Sequence, residues 1–363
     1  MNAEMTFGLF DSGQAVRLPG LVDAHVHLRV PGGEHKEDFR SGTRAALAGG
    51  FTQVLAMPNT HPPLTTLARW QAAQEQARQE GLCEVHQYCG VSMGALPELE
   101  ALGAHAPALK VYMDPTYGDL KVGGLKDLRQ IIARWPTTKV IAIHAEGGSL
   151  YDALRLAEEL PCRLHICHVS LREEIEAIAR AKGRGLAVTC EVTPHHLFLT
   201  EVDAQRLGAL GDMRPRLAST MDVDALWEHL QETVDLIATD HAPHTLEEKA
   251  QAVAVPPGVP GLESSLPLML TAMLQGRLSL TRLIELMYSN PLRIFDLPVQ
   301  TDTWVEASLG EESIFPSRAL YTRCAWSPFS GRVARASVRR VVLRGQEVLR
   351  EGRIVETHQP SKE

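Results

Sequence analysis

Gly20-Leu-Val-Asp-Ala-His-Val-His-Leu-Arg29 is an apolar run that closes on two histidines and an arginine. In a β-strand, side chains alternate faces, so residues two apart share one, and His25 and His27 at that step can chelate one metal ion. Arg29 repeats the step. It sets a fixed cation beside the ion, where a carboxylate can be gripped bidentately. A lone His-x-His is more often one satisfied strand histidine and one surface histidine, so the pair gains meaning only from its company.

Seven further short, β-rich apolar runs follow: Phe51 to Pro58, Val85 to Val91, Ala108 to Met113, Lys139 to Ala145, Arg163 to Ser170, Ala187 to Val192 and Leu236 to His241. Segments of helical period lie between them. Leu171, Ile175 and Ile178 place an apolar stripe on one face of a helix ending near Gly183, and Thr65 to Glu80, Leu125 to Trp135 and Tyr151 to Leu160 read the same way. Such alternation predicts a parallel sheet of βα units. Eight staves close a (β/α)8 TIM-type barrel, an α/β fold, with a doubly wound open sheet as the runner-up. From Ala334 to Glu356 the pattern changes to short strands broken by glycine at hairpin spacing, a β-rich layer that the first twenty residues can join. The expected organisation is a metal-dependent barrel over 20–300 and a small β-rich accessory domain from 1–19 plus 301–363. Pro256-Pro-Gly-Val-Pro-Gly261 reads as a rigid loop after the last strand.

A chain of 363 residues with 44% hydrophobic content buries a large core, and its net charge of −8 offers no basic footprint for nucleic acid. An acidic substrate therefore needs local cations. The six cysteines show neither paired nor zinc-finger spacing, the N-terminus has no basic segment leading into an apolar one, and no apolar stretch reaches bilayer length. A reduced, cytoplasmic compartment without a membrane role is the expectation.

Barrel active sites lie at the C-terminal ends of the strands, so chemistry-bearing residues should fall late in each run. After His25 and His27, the second run ends at Asn59, the fourth carries Lys110, the fifth His144, the sixth His168 and the seventh Glu191, while the eighth carries Asp240 with His244 just beyond. Each has an ordinary explanation when taken alone. Lys110 is flanked by apolar residues, and an unpaired buried ammonium is costly. A desolvated, neutral amine can take up carbon dioxide to give a carbamate that bridges two metal ions, but buried lysines also serve as bases or ion-pair partners. His144 and His168 together could supply a second metal site. His165, three residues before His168, faces the other side of the strand and reads as structural; His195 and His196, adjacent on what reads as a strand, point to opposite faces and stay outside the metal set. Asp240 ends an apolar run where a metal would keep it ionised. From there it can take a proton from a bridging water and deliver it to a leaving nitrogen.

Asp23-Ala-His-Val-His-Leu-Arg29, Met57-Pro-Asn-Thr60, Leu109-Lys-Val-Tyr112, His165-Ile-Cys-His168 and Thr239-Asp-His-Ala-Pro-His244 together resemble dihydroorotase, within the amidohydrolase superfamily. The likeness is greatest to the dihydroorotase domain of the animal multifunctional pyrimidine-synthesis protein, and it runs from about Gly20 to the β-rich tail. It implies a first zinc on His25, His27 and Asp240, a second on His144 and His168, and a carboxylated Lys110 bridging them. A metal-bridging hydroxide would be the nucleophile and Asp240 the proton shuttle, in the reversible cyclisation of N-carbamoyl-L-aspartate to L-dihydroorotate of pyrimidine biosynthesis. Arg29, Asn59 and His244 would clamp the exocyclic carboxylate, and backbone near Arg214 and Pro257 would meet the ring amides. A third zinc is implied at Cys167 and Glu191. Thr116-Tyr117 resembles a lid that carries a Thr-Phe pair in the animal domain; the tyrosine keeps the ring and adds a hydroxyl. The stretches before Met213-Arg214 and before Pro257 each differ from the family pattern by one residue in length. Family habit adds a homodimer and an association with aspartate transcarbamoylase. Two other readings compete: another cyclic amidase (hydantoinase, dihydropyrimidinase or allantoinase), which Arg29 and Asn59 argue against, and a non-catalytic scaffold subunit, which the complete ligand set argues against.

Overall fold

The fold, taken from a computed structural model, is described for residues 7–116, 118, 120–251 and 255–355. Two short strands, β1 (Gly8–Phe10) and β2 (Ala15–Pro19), precede the first barrel strand, β3 (Leu21–Val26). The barrel continues through β4 (Phe51–Ala56), β5 (Glu84–Gln87), β6 (Cys89–Gly90), β7 (Ala108–Tyr112), β8 (Val140–His144), β9 (Arg163–Ile166), β10 (Val188–Val192) and β11 (Leu236–Ile237). All pairings are parallel, in the orders β3-β4-β5 and β6-β7-β8-β9-β10-β11. β5 and β6 form one stave, interrupted at Tyr88, whose hydroxyl donates to Ala24 O at 3.0 Å. The ring closes where Val26 pairs in parallel with His241 and His27 N donates to His241 O at 2.8 Å. That closure makes eight staves and removes the open-sheet alternative.

The expected Leu236 to His241 strand is regular for only two residues. Beyond it Asp240 takes a positive φ of 44°, as do Arg29 (63°) and His168 (37°) just past their own strands. Left-handed backbone at non-glycine residues costs energy, and these three sit at the barrel mouth, where the candidate site lies. Helices fall close to expectation. Arg172–Gly183 ends where the glycine stands, and Leu67–Glu80 starts two residues late because Thr66 caps it, its side chain accepting from Arg69 N. Leu125–Ile132 stops short of Trp135, and Gly148–Glu159 begins earlier than Tyr151.

The second sheet is antiparallel, in the order β1-β2-β12-β13-β14-β15, with β12 (Trp304–Ile314), β13 (Val333–Leu343), β14 (Gln346–Arg350) and β15 (Arg353–Ile354). Val16 pairs with Ala307 and Leu18 with Val305, so the N-terminal and C-terminal segments share one sheet. Helix Leu262–Leu274, buried nearly all round, packs on β13 on one side and helix Phe39–Ala48 on the other. Between β12 and β13 the chain leaves the sheet and docks on the barrel. Buried Glu37 accepts from Thr322 Oγ1 at 2.5 Å and Arg323 N at 3.1 Å; Glu263 accepts from Tyr321 N at 2.7 Å and Thr322 N at 3.1 Å. Trp326 then donates through Nε1 to His244 O at 2.8 Å. Among the described residues no helix is long and apolar enough to cross a membrane.

Candidate active site

β3 and the residue just past its end carry His25 and His27 into the barrel mouth, and their Nε2 atoms approach one oxygen, Asp240 Oδ1, at 3.3 and 3.0 Å. Across the mouth His144 Nδ1 and His168 Nε2 lie 3.0 Å apart, while His144 Nε2 meets Glu146 Oε1 at 3.0 Å. Lys110 on β7 is fully buried, its Nζ 2.8 Å from Cys167 Sγ. Beneath His25, Glu191 Oε1 reaches His25 Nδ1 at 2.5 Å and Oε2 reaches His165 Nε2 at 3.0 Å. His165 therefore supports Glu191 from behind, in keeping with a structural role.

The donor set fits a metal ion. Candidate ligand atoms of His25, His168 and Asp240 all lie within 4.8 Å of one another, and so do those of His25, Cys167 and Glu191. Burial holds His27 down to about 4, against the pull of Asp240, so its imidazole is neutral. With Nδ1 donating to Asn59 Oδ1 at 2.8 Å, the lone pair on Nε2 faces the Asp240 carboxylate, acceptor against acceptor. A cation between them removes the conflict. His168 Nδ1 is buried with no hydrogen-bond partner among the described residues, and burial keeps His168 well below its ordinary value and neutral. Burial and Lys110 oppose charge on His25, yet the Glu191 and Asp240 carboxylates outweigh them and lift it to about 10. Burial likewise opposes ionised Asp240, but the charge on His25 holds its carboxyl well below the usual range. The cluster thus demands positive charge, which imidazole-carboxylate sites take from a metal.

Beside this floor lies a second group. Buried Arg29 donates through Nε to Pro243 O at 3.2 Å, and its Nη2 is 3.0 Å from His244 Nε2. His244 Nε2 also lies 3.1 Å from Pro257 O, and Nδ1 lies 3.3 Å from Lys36 Nζ and 3.3 Å from Glu248 Oε2. Burial, Arg29, Lys36 and Lys249 together drive His244 far below its ordinary value, so it is neutral. Buried Lys249 donates to Asp212 O and Pro256 O, both at 2.9 Å, tying the loop of Arg214 to the loop of Pro257.

His25, His27, Arg29, Asn59, Thr116, His144, His168, Arg214, Asp240 and Pro257 line one cleft of about 40 Å³. His244 stands behind Arg29, with Lys110, Cys167 and Glu191 buried below; Tyr117 lies outside the described residues. A larger hollow of about 980 Å³, by Arg40, Arg44 and Arg344, has no such convergence of ligand-type side chains. One expectation is corrected. His195 and His196 lie in helix Pro194–Phe198, not on a strand, so the opposite-faces argument does not apply; the Thr193 cap followed by Pro194 signals that helix. His196 Nε2 instead meets Pro215 O at 3.1 Å, beside Arg214. Sequence reading missed Lys36, Glu37, Glu248 and Lys249, which sit in polar stretches with no pattern announcing burial.

A dihydro-orotase-like family description matches residues 14–110. The multifunctional protein CAD of Squalus acanthias is 45% identical over 345 residues, which is 95% of this chain but only 15% of that protein's length. The dihydroorotase of Halobacterium salinarum is 34% identical over 358 residues, covering 87% of this chain and 82% of that one. Among solved structures, the L-hydantoinase (dihydropyrimidinase) of Arthrobacter aurescens superposes with a TM-score of 0.87 at 28% identity, covering 94% of this chain and 86% of that one.

Proposed function

Because the chain belongs to the dihydroorotase family, we propose that it catalyses the reversible, metal-dependent cyclisation of N-carbamoyl-L-aspartate to L-dihydroorotate in pyrimidine biosynthesis. The observation that carries this reading is buried Arg29, paired with His244 beside a histidine-aspartate floor. A hydantoin ring has no carboxylate for such a cation to hold, so this pairing favours dihydroorotate over the substrates of other cyclic amidases. The complete ligand set favours an enzyme over a scaffold.

In this reading His25, His27 and Asp240 would hold one zinc and His144 and His168 a second, with Lys110, carboxylated, as a ligand to both, and Cys167 and Glu191 with His25 would offer a third position. Bound metal lowers the pKa of water and polarises the ring carbonyl. Arg29, Asn59 and His244 grip the exocyclic carboxylate, which fixes the ring against the floor. Backbone at Arg214 and Pro257 meets the ring amides, and Thr116 with Tyr117 covers the cleft. Asp240 handles the proton: on hydrolysis it takes one from the attacking water as the C–O bond forms and delivers it to the ring nitrogen as the C–N bond breaks, and on cyclisation it carries the nitrogen's proton back to the oxygen that leaves as water. We take 20–300 as the catalytic barrel and 1–19 with 301–363 as the accessory domain. The six unbridged cysteines support a reducing, cytoplasmic setting. A homodimer and an association with aspartate transcarbamoylase complete the family reading, and light scattering with and without the transcarbamoylase tests both.

The decisive experiment is Arg29→Ala. We expect kcat/KM for dihydroorotate to fall by about 100-fold or more with metal content unchanged, the size of losing a charge-assisted clamp. Retained activity, or a preference for an uncharged hydantoin, rejects the assignment. Fewer than two zinc ions per chain in protein prepared without chelator revives the scaffold reading.

A further inference from the structure

A neutral imidazole has one donor and one acceptor nitrogen, yet four partners of His244 among the described residues ask for both at each position. At Nε2, Pro257 O can only accept, at 3.1 Å, and Arg29 Nη2 can only donate, at 3.0 Å. At Nδ1, Lys36 Nζ can only donate, at 3.3 Å, and the Glu248 carboxylate oxygen accepts, at 3.3 Å. Two arrangements follow. With the proton on Nε2, His244 donates to Pro257 O and accepts from Lys36. With the proton on Nδ1, it donates to Glu248 and accepts from Arg29.

Only the first arrangement suits an anion. There Arg29 Nη2–H is not consumed by His244, and Nε2–H stands beside it, so two donors meet an arriving carboxylate, with Nε2–H shared between it and Pro257 O. In the second, a nitrogen lone pair faces the carboxylate and the guanidinium is partly spent on it. We propose that Lys36 is a positioning residue that fixes His244 in the Nε2–H tautomer and so readies the clamp for the substrate carboxylate. This rests on the reading of Arg29 and His244 as that clamp.

Burial decides between Lys36 and Glu248. The Lys36 side chain is 5% exposed and that of Glu248 19%. The more buried charge gains more from an acceptor. Glu248 is also engaged elsewhere, by Lys36 Nζ at 3.1 Å and His35 Nε2 at 3.0 Å on Oε1, and by Thr245 N at 3.2 Å on Oε2. Burial, with Arg29 and Lys249 adding positive charge around the ring, opposes a second proton alongside Lys36, so the feature that Lys36 alone sets is the place of the first proton.

The test uses zinc-loaded protein labelled with 15N-histidine, with the His244 signals assigned by their loss in His244→Asn. Long-range 1H–15N correlations of ligand-free wild type should show the proton on Nε2. Lys36→Met should move it to Nδ1 and raise KM for dihydroorotate about tenfold or more, with kcat changed by less than about threefold, the pattern of lost uniform binding. Lys36→Gln, whose amide can donate to Nδ1 without a charge, should recover most of the loss, and so should Lys36→Met/Glu248→Gln. A purely electrostatic role predicts no rescue by Lys36→Gln, which restores no charge, and a purely structural one predicts no move of the proton. Wild type with Nδ1–H, an unchanged KM in Lys36→Met, or failure of both rescues overturns the proposal. Wild type that does not turn over dihydroorotate overturns the functional reading instead, and the tautomer spectrum still decides this one.

Discussion

His25, His27, His144 and His168 stand on strands or within two residues of their ends, whereas Arg29, Lys36, His244 and Lys249 stand on the segments beyond, pinned to one another by buried charge. The two groups share a cleft and differ in how position is enforced. A strand side chain inherits its direction from a hydrogen-bonded ladder on both sides, so the floor is rigid whatever single contact is lost. A side chain beyond the strands depends on a few particular bonds: two carbonyls for Lys249, the His244 ring and the Glu248 carboxylate for Lys36, one carbonyl for Trp326. Under the proposed function, chemistry belongs to the floor and substrate affinity to the clamp.

The strongest attempt to break that division is Asp240→Asn, which keeps the shape and removes the base. We expect kcat to fall by about 100- to 10,000-fold, the usual range for general acid-base work, with KM nearly unchanged. Steady-state kinetics check this. A large rise in KM with kcat preserved would place Asp240 in the clamp and dissolve the comparison. Lys249→Met probes the other side. Two carbonyls lose their donor, so urea unfolding should register a loss of about 1–3 kcal/mol. KM should rise severalfold while kcat holds, since Asp212 O and Pro256 O no longer share a tether.

The floor was readable because period two is written into the strand: His25 and His27 fall on one face, and ligand-type residues follow at one strand end after another. The clamp was only half readable. Arg29 and His244 stood out by residue type, but buried Lys36 meets Glu248 and His244, more than two hundred residues away, and no local period encodes such a contact. Lys249 is hidden because its carbonyl partners, Asp212 and Pro256, lie in loops that no local period joins. Helix Leu262–Leu274 escaped detection because it is apolar nearly all round, leaving no stripe for a 3.6-residue period to reveal. His195 and His196 were misplaced because strand logic was carried past the Thr193-Pro194 cap. Arg214 and Pro257 line the cleft despite the one-residue differences in length before them, and their loops are joined through Lys249 and by Gly258 N donating to Asp212 O at 3.0 Å.

The smallest effect concerns pH and isolates the cost of that joint. Burial pushes Lys249 down from the ordinary 10.5 to about 8, with Asp212 opposing the shift. Below about pH 8 the folded and unfolded chains both hold the proton, and no dependence on pH arises from this group. Between about 8 and 10.5 only the unfolded chain holds it, so raising pH across that window favours the fold. The neutral amine keeps two N–H bonds, enough for Asp212 O and Pro256 O, so the tether survives deprotonation. Measured as the difference in unfolding free energy between wild type and Lys249→Met, other titrating groups cancel. That difference should grow as pH rises through the window. A flat difference would mean that the two carbonyl dipoles repay the buried charge in full, and the clamp would then be as well compensated as the floor.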